Sequence, residues 1–482
     1  MTSDPVDPVD QGARPTVVVV GAGIAGLAAA WALSGAPSPV RVVVLDSAAQ
    51  VGGKLAVGQV DGLEVDLGAE SMLARRPEGL DLARAVGLAD DLVDPRPAGA
   101  SIWSRGALRP LPPGTLMGVP SGPDGLLGLL TPDEAARVVA EPGTAWPALG
   151  ADVDVASFVA GRVGTGVVDR LLDPLLGGVY AGRSDELSLQ ATVPALWAAA
   201  TQGASVVQAA RAASAAGAAT RSPVFAGVRG GVGRLPIAVT AALRERGVEV
   251  HPGSTVRDLR RTPVGWRLTL GPTTRAQVIE ADGVVLATPA APTSRLLADE
   301  APVAAALLAQ VEYASVAIVT VLVPRSVAGP LVGSGFLVPA VEGRFVKAAT
   351  FSSSKWAWLD DADPDRVALR TSVGRHRDEA DLQRDDADVV ARAVADLAEL
   401  VGGPLPVLAS RVTRWGGALP QYAVGHLARV ASVREALAGS PGLAVAGAAY
   451  DGVGIPACIA SGTAAALAVG THLDQRARAA RG

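Results

Sequence analysis

Cysteine is almost absent from this chain: Cys458 is the only one in 482 residues. That excludes internal disulfides, cysteine-ligated clusters and the paired-cysteine centre of disulfide reductases. Histidine is scarce too, with four residues and none spaced as metal ligands, so neither a metal centre nor a histidine-based triad is expected. Four tyrosines and five phenylalanines leave little material for an aromatic cage around a cationic substrate. There is no run of lysine or arginine, and the formal net charge is −5, which argues against a nucleic-acid partner. Long apolar runs are missing as well, because residues 16–33 are interrupted by Gly21, Gly23 and Gly26 and read as strand, turn and helix. The first fifteen residues carry Asp4, Asp7 and Asp10 among prolines and have no apolar core of a secretory signal. They are expected to form a disordered leader, the compartment is expected to be cytoplasmic, and any membrane contact peripheral.

A chain of this length exceeds what one hydrophobic core holds, so two or three lobes are expected. The hydrophobic share of 49% owes much to alanine, a helix former of weak apolarity. Residues 16–76 read as a βαβ unit, a first piece of a nucleotide-binding domain. Residues 77–222 turn helical and proline-punctuated, with amphipathic stretches at 78–86, 132–139 and 196–213, and form a helical lobe. Residues 223–300 return to the nucleotide domain through a helix at 235–246 and strands at 248–251, 266–270 and 283–287, expected to rejoin the first sheet. Residues 301–435, with β-branched stretches at 311–323, 344–351 and 366–373, form an antiparallel-sheet substrate domain. Residues 436–482 supply a last strand, turn and helix to the nucleotide domain. The fold class is α/β: a discontinuous Rossmann-like domain, an antiparallel-sheet domain and a helical lobe.

The motifs that carry chemistry begin at Gly21-Ala22-Gly23-Ile24-Ala25-Gly26, between a strand and a helix. There a dinucleotide pyrophosphate needs close backbone approach and a helix N-terminus. Leu45 and Asp46 end the next strand, where the carboxylate can accept from the ribose hydroxyls of an adenosine. These features serve NAD and FAD alike. A second glycine pair with a cation, Gly52-Gly53-Lys54, and a third turn, Gly68-Ala69-Glu70-Ser71 after Leu67, favour FAD, whose flavin ring continues past the phosphates.

Gly52-Gly53-Lys54 after the acidic residue resembles the amine-oxidase type of FAD protein. The stretches LPPGTLMGVP (residues 111–120), PLLGGVYAG (174–182) and AYDGVGIP (449–456) resemble the protoporphyrinogen and coproporphyrinogen oxidases, and the likeness covers nearly the whole chain beyond residue 15. It implies noncovalent FAD, with Val256 pairing its backbone with the adenine, Trp415 beside the flavin, and Val453, Gly454 and Ile455 turning amides to the flavin C2 carbonyl. Cys458 is then a buried, unreactive thiol. A backbone carbonyl near Gly178 is implied to hold or deprotonate a pyrrole nitrogen, with Tyr180 stacking on the macrocycle. Arg75, Arg76 and Lys347 are the candidates for substrate propionates. The implied partners are a porphyrinogen, molecular oxygen and, transiently, the next enzyme of haem synthesis. Actinobacterial members are understood to oxidise coproporphyrinogen III with hydrogen peroxide as co-product, and the Ala, Gly, Arg and Pro bias fits such a source. Protoporphyrinogen IX stays open as the substrate, and a flavin amine oxidase is a more distant alternative.

Overall fold

The computed structural model describes residues 14–219, 223–327, 329 and 331–481. The leader expected over residues 1–15 therefore lies outside the described residues apart from its end, where the Pro15 carbonyl accepts from the Arg41 amide at 2.9 Å. A run of β-branched residues buried on both faces suits the centre of a parallel sheet, and Thr16–Val20 is buried at every position. It lies third in a five-stranded sheet of order Glu249–His251, Arg41–Leu45, Thr16–Val20, Gly283–Leu286, Leu443–Val445. All pairs are parallel. Segments more than four hundred residues apart thus build one sheet, as the division into three nucleotide-binding pieces requires.

One face of this sheet is covered by the helices Ile24–Ser34, Arg234–Glu245 and Ile455–Ala479. The first and last of them touch at backbone distance: a Cβ on Gly462 would stand 2.0 Å from the Ala25 carbonyl oxygen. Helix Ile455–Ala479 is long and apolar enough to cross a membrane, with a mean hydropathy of 1.2, yet 56% of that window is buried inside the chain. Its apolar face is spent on the first helix.

The strand expected at residues 266–270 does not rejoin this sheet. Gly265–Leu270 sits in a separate antiparallel sheet between Val256–Thr262 and Gln277–Ala281. Its alternating burial places Trp266, Leu268 and Leu270 against the other face of the nucleotide sheet, a period-2 pattern proper to a half-buried strand.

The substrate domain is a seven-stranded sheet of order Ala409–Pro420, Tyr313–Pro324, Arg366–Val373, Val346–Phe351, Gly335–Leu337, Ala100–Ser104, Ala107–Pro110. Helix Asp386–Val401 covers one face. The sequence reading misses Ala409–Pro420, whose polar and glycine-rich sequence lacks clean alternation but which pairs with Tyr313–Pro324 across twelve residues. The hairpin of Ala100–Ser104 and Ala107–Pro110 comes from within the expected helical lobe and pairs in parallel with Gly335–Leu337. That lobe is otherwise helical, built around Leu171, Leu172, Leu176, Tyr180 and Leu196. The amphipathic stretch at 196–213 is two helices, Pro194–Ala200 and Val206–Ala219, because buried Glu141 accepts the Val206 amide at 2.9 Å and starts a new helix there.

Overpacking at a backbone contact costs roughly 1–3 kcal/mol. Gly462→Val is therefore expected to lower the thermal midpoint and to release the last helix. Gly470→Ala, in the same helix with nothing within 4 Å of its Cβ position, is expected to be neutral or to stabilise by up to about 1 kcal/mol. Equal melting of the two variants would show that the helix contact does not bear on stability.

Candidate functional site

The glycines of the first turn divide into structural and open ones. Gly21 adopts φ +108, and a Cβ there would meet the Ala287 carbonyl oxygen at 2.7 Å; on Gly26 it would meet the Gly21 oxygen at 1.9 Å. Both are needed for helix-to-strand packing. Gly23 differs: its backbone is extended and nothing lies within 4 Å of its Cβ position. Gly53, at φ +59, faces Gly23, and Gly52 donates its amide to the Ala22 carbonyl at 2.8 Å. Ala22, Ile24 and Ala25 complete the strand-to-helix turn. The result is an open floor of backbone at the start of helix Ile24–Ser34, where N–H groups lack intrahelical acceptors. An anionic pyrophosphate fits such a cradle.

Asp46 follows Leu45 at the end of its strand. Its carboxylate accepts the Ala22 amide at 2.5 Å and the Ala48 amide at 2.7 Å, so it organises the cradle and keeps lone pairs for ribose hydroxyls. The Asp46 carbonyl accepts from Ser254 at 2.6 Å, which sets Val256 two residues further on, at the start of its strand and near the adenosine end.

The third turn is clamped to the substrate sheet. Arg370, on strand Arg366–Val373, donates to the Gly68 carbonyl and to the Asp66 carbonyl at 3.4 Å. Glu70 is not turned to the cradle: it accepts from Lys355 at 2.6 Å, Ser352 at 3.3 Å and Arg370 at 3.4 Å. Burial works to raise the Glu70 pKa, but Lys355 and Arg370 outweigh it and hold the carboxyl below its ordinary range. Trp415 donates its indole N–H to the Leu67 carbonyl at 2.9 Å and places its ring edge against Gly68. Gly68, Ala69, Glu70 and Ser71 are therefore a turn shaped by the neighbouring domain. Asp66, one step earlier, accepts the Val232 and Gly233 amides at 3.0 and 2.9 Å, and burial pushes its pKa up to about 6.

At the far end of the chain, Gly454 caps helix Ile455–Ala479 in an extended conformation without a side-chain bond, and Pro456 follows in the first turn. With no acidic residue there, the amides around Val453, Gly454 and Ile455 present uncompensated positive dipole, which suits an oxygen gaining charge. Cys458 is buried, and burial pushes its thiol up to about 11, so it holds no thiolate near neutrality. Lys54 lies close enough to sense it, with its ammonium 5.8 Å from the Tyr313 ring. Burial lowers the Lys54 pKa.

On the substrate side, Gly178 and Val179 are exposed at the end of helix Asp173–Tyr180. The helix stops at Ala181, which adopts φ +49 and donates its amide to Gly177, and no described donor reaches the Gly178 carbonyl. Tyr180 is buried and tilted against Tyr422 at 5.6 Å. Burial pushes its phenol up to about 12, which rules it out as a base at neutral pH. Gln421, absent from the sequence reading, donates to the Tyr180 carbonyl at 2.9 Å and fixes this turn. Arg76 starts helix Pro77–Ala85 and is paired with Glu78 on that helix. Arg75 is exposed, with its guanidinium against Gly217 of the helical lobe. Lys347 is 8% exposed on the substrate sheet. Lys355, Arg370 and Gln421 carried no signal in the sequence, since nothing local distinguishes them from other strand and loop residues.

The family model of the flavin containing amine oxidoreductases matches residues 24–470. The chain is 37% identical to the coproporphyrinogen III oxidase of Mycobacterium tuberculosis over 95% of this chain and 97% of that one. It is 32% identical to the protoporphyrinogen oxidase of Macaca fascicularis over 94% and 98% of the two chains. The crystal structure of an Exiguobacterium protein superposes with a TM-score of 0.83 at 30% identity, covering 96% of this chain and 99% of the other.

Gly23→Val is compatible with the extended backbone but fills the open floor. The variant is expected to fold with an unchanged apoprotein melting point and to purify without flavin absorbance; a yellow variant would remove Gly23 from the cradle. Lys355→Met leaves Glu70 short of a partner, and breaking a buried pair costs about 3–5 kcal/mol. Glu70 ionises in the folded chain below its ordinary value of 4.5, so its stabilisation is present above that pH and fades as pH falls. The loss in denaturant midpoint is expected to be large at pH 7 and small near pH 3, and a pH-independent loss would contradict the ion pair.

Proposed function

We propose, from the premise that the chain belongs to the flavin containing amine oxidoreductases and is similar to bacterial coproporphyrinogen III oxidases, that it oxidises coproporphyrinogen III to coproporphyrin III. The cofactor is FAD, held noncovalently, since the thiol nearest the flavin end is buried and protonated. When bound, FAD would supply a hydride acceptor for a bridging carbon and a route for the two electrons to molecular oxygen, giving hydrogen peroxide. Aromatisation takes three such rounds: three hydrides leave bridging carbons, and of the three accompanying protons two leave pyrrole nitrogens and one leaves the fourth bridging carbon.

The observation that carries the reading is the carbonyl of the exposed Gly178, which no donor reaches among the described residues, in a region where the neighbouring phenol stays protonated. A pyrrole N–H can donate to that carbonyl and be oriented by it, and the chemistry asks for no stronger base. Gln421 and the left-handed Ala181 hold the turn in place. The dipole at Val453, Gly454 and Ile455 stabilises charge on the reduced ring. The same reading places the protein in the cytoplasm, with product passed to the next enzyme of haem synthesis. Protoporphyrinogen IX oxidation is the second reading, supported by the similarity to the Macaca fascicularis enzyme.

With FAD-loaded protein, coproporphyrinogen III is expected to bleach the flavin anaerobically. In air it should consume oxygen with a peroxide yield approaching three per porphyrin. Its kcat/KM is expected to exceed that for protoporphyrinogen IX by about ten-fold or more, the equivalent of one lost charged contact. The reverse ratio selects the second reading, and failure of both porphyrinogens to bleach the flavin rejects the porphyrinogen class.

A further inference from the structure

Two cations next to helix Asp173–Tyr180, the buried Lys347 and the half-buried Arg375, are not used by the cofactor site. Lys347 lies in a bulge of strand Val346–Phe351: Val346 pairs with Val373 and Ala348 with Ser372, so Lys347 opposes no residue. Bulges re-aim side chains and gather beside functional sites. Among the described residues no hydrogen-bond or carboxylate partner reaches its ammonium, although the side chain is more than nine-tenths buried. Arg375 follows Gly374 (φ +93) at the end of the adjacent strand. Its guanidinium donates to the Val338 carbonyl at 3.0 Å, and the Val338 amide donates to the Lys347 carbonyl at 2.9 Å. The Lys347 backbone and the Arg375 guanidinium therefore share Val338, and Arg375 lies close enough to act electrostatically on the Lys347 ammonium.

This position borders the substrate side of the fold. Leu337, the residue before Val338, is the nearest neighbour of Gly178, 3.7 Å from its Cβ position. His376, the residue after Arg375, donates its amide to the Ala181 carbonyl at 2.7 Å, directly after Tyr180. The charged group that acts on Lys347 is Arg375, and those that act on Arg375 are Asp173 and Asp378. Neither aspartate forms an ion pair with it, whereas other arginines of this sheet are paired, Arg344 with Glu399 and Arg370 with Glu70. A lysine largely taken from water beside a second cation is costly to keep charged unless an anion arrives.

We propose that Lys347 and Arg375 form a carboxylate subsite that holds one propionate of the porphyrinogen, an inference that rests on the porphyrinogen reading above. Arg375 supplies a planar fork for the carboxylate and Lys347 a point charge. Burial, aided by Arg375, holds the empty-site Lys347 down to about 7, and a bound carboxylate raises it. Binding then takes up a proton above neutrality: affinity is greatest below pH 7 and falls as pH rises through it.

The test titrates coproporphyrin III and its tetramethyl ester into FAD-loaded wild type, Lys347→Met, Arg375→Gln and Arg375→Lys, following porphyrin fluorescence at pH 6 and pH 8. Lys347→Met and Arg375→Gln are expected to weaken the free acid by at least about ten-fold and to leave the ester unchanged. Lys347→Met should abolish the drop in affinity between the two pH values, and Arg375→Lys should recover part of the binding. Flavin content and melting point check each fold, and Lys347→Met, which removes a buried charge at similar volume, is expected to melt no lower than wild type. Wild-type affinity in folded, flavin-loaded Lys347→Met and Arg375→Gln overturns the subsite alone. Wild type that binds neither ligand and is not bleached by porphyrinogen overturns the subsite and the function together.

Discussion

The approach of the last helix to the first, at Gly462 and Ala25, is the contact on which the cofactor site depends. Helix Ile24–Ser34 follows the strand Thr16–Val20, and helix Ile455–Ala479 follows Leu443–Val445 in the same parallel sheet. Their N-termini therefore lie at the carboxyl ends of the strands, where open α/β sheets bind ligands. Both turns leave backbone amides at helix N-termini without intrahelical acceptors. The spacing between the two turns is set by how closely the helices pack, and only glycine at 462 permits that distance.

A second constraint joins the two sheets. Arg370 reaches from the substrate sheet to the Gly68 carbonyl, and Lys355 and Arg370 together neutralise Glu70. Trp415, on the neighbouring part of that sheet, bonds the Leu67 carbonyl. The turn at residues 68–71 is thus fixed by side chains of the seven-stranded sheet. A shift of either sheet would strand a buried carboxylate, so electrostatics keeps cofactor and substrate floor in register.

The ionisable groups near the site are mostly kept neutral. Burial pushes up the Tyr180 phenol and the Cys458 thiol, and pushes down the Lys347 ammonium. His426, stacked on Tyr422 at 3.8 Å, is lowered to about 4 by burial. None of these supplies a strong acid or base at neutral pH, which fits a reaction whose bond changes are carried by a redox cofactor and whose orientation comes from backbone groups.

The glycine turn at 21–26, Asp46 and the pair Gly52-Gly53 stand out in the sequence because strand, turn and helix follow one another within a few residues. The strands near 16–20, 41–45 and 443–445 of the parallel sheet were legible for the same reason. Ala409–Pro420 was not, because its pairing with Tyr313–Pro324 supplies what its own pattern lacks. Strand 265–270 was assigned to the wrong sheet because alternation reports a half-buried face and not the partner. Glu70 stood in the right turn, but the direction of its side chain was decided by Lys355 and Arg370, some three hundred residues away in the chain. Local pattern determined where a nucleotide-type turn could form; only the folded chain, by bringing distant charges and carbonyls within hydrogen-bonding reach, decided which of those groups are compensated.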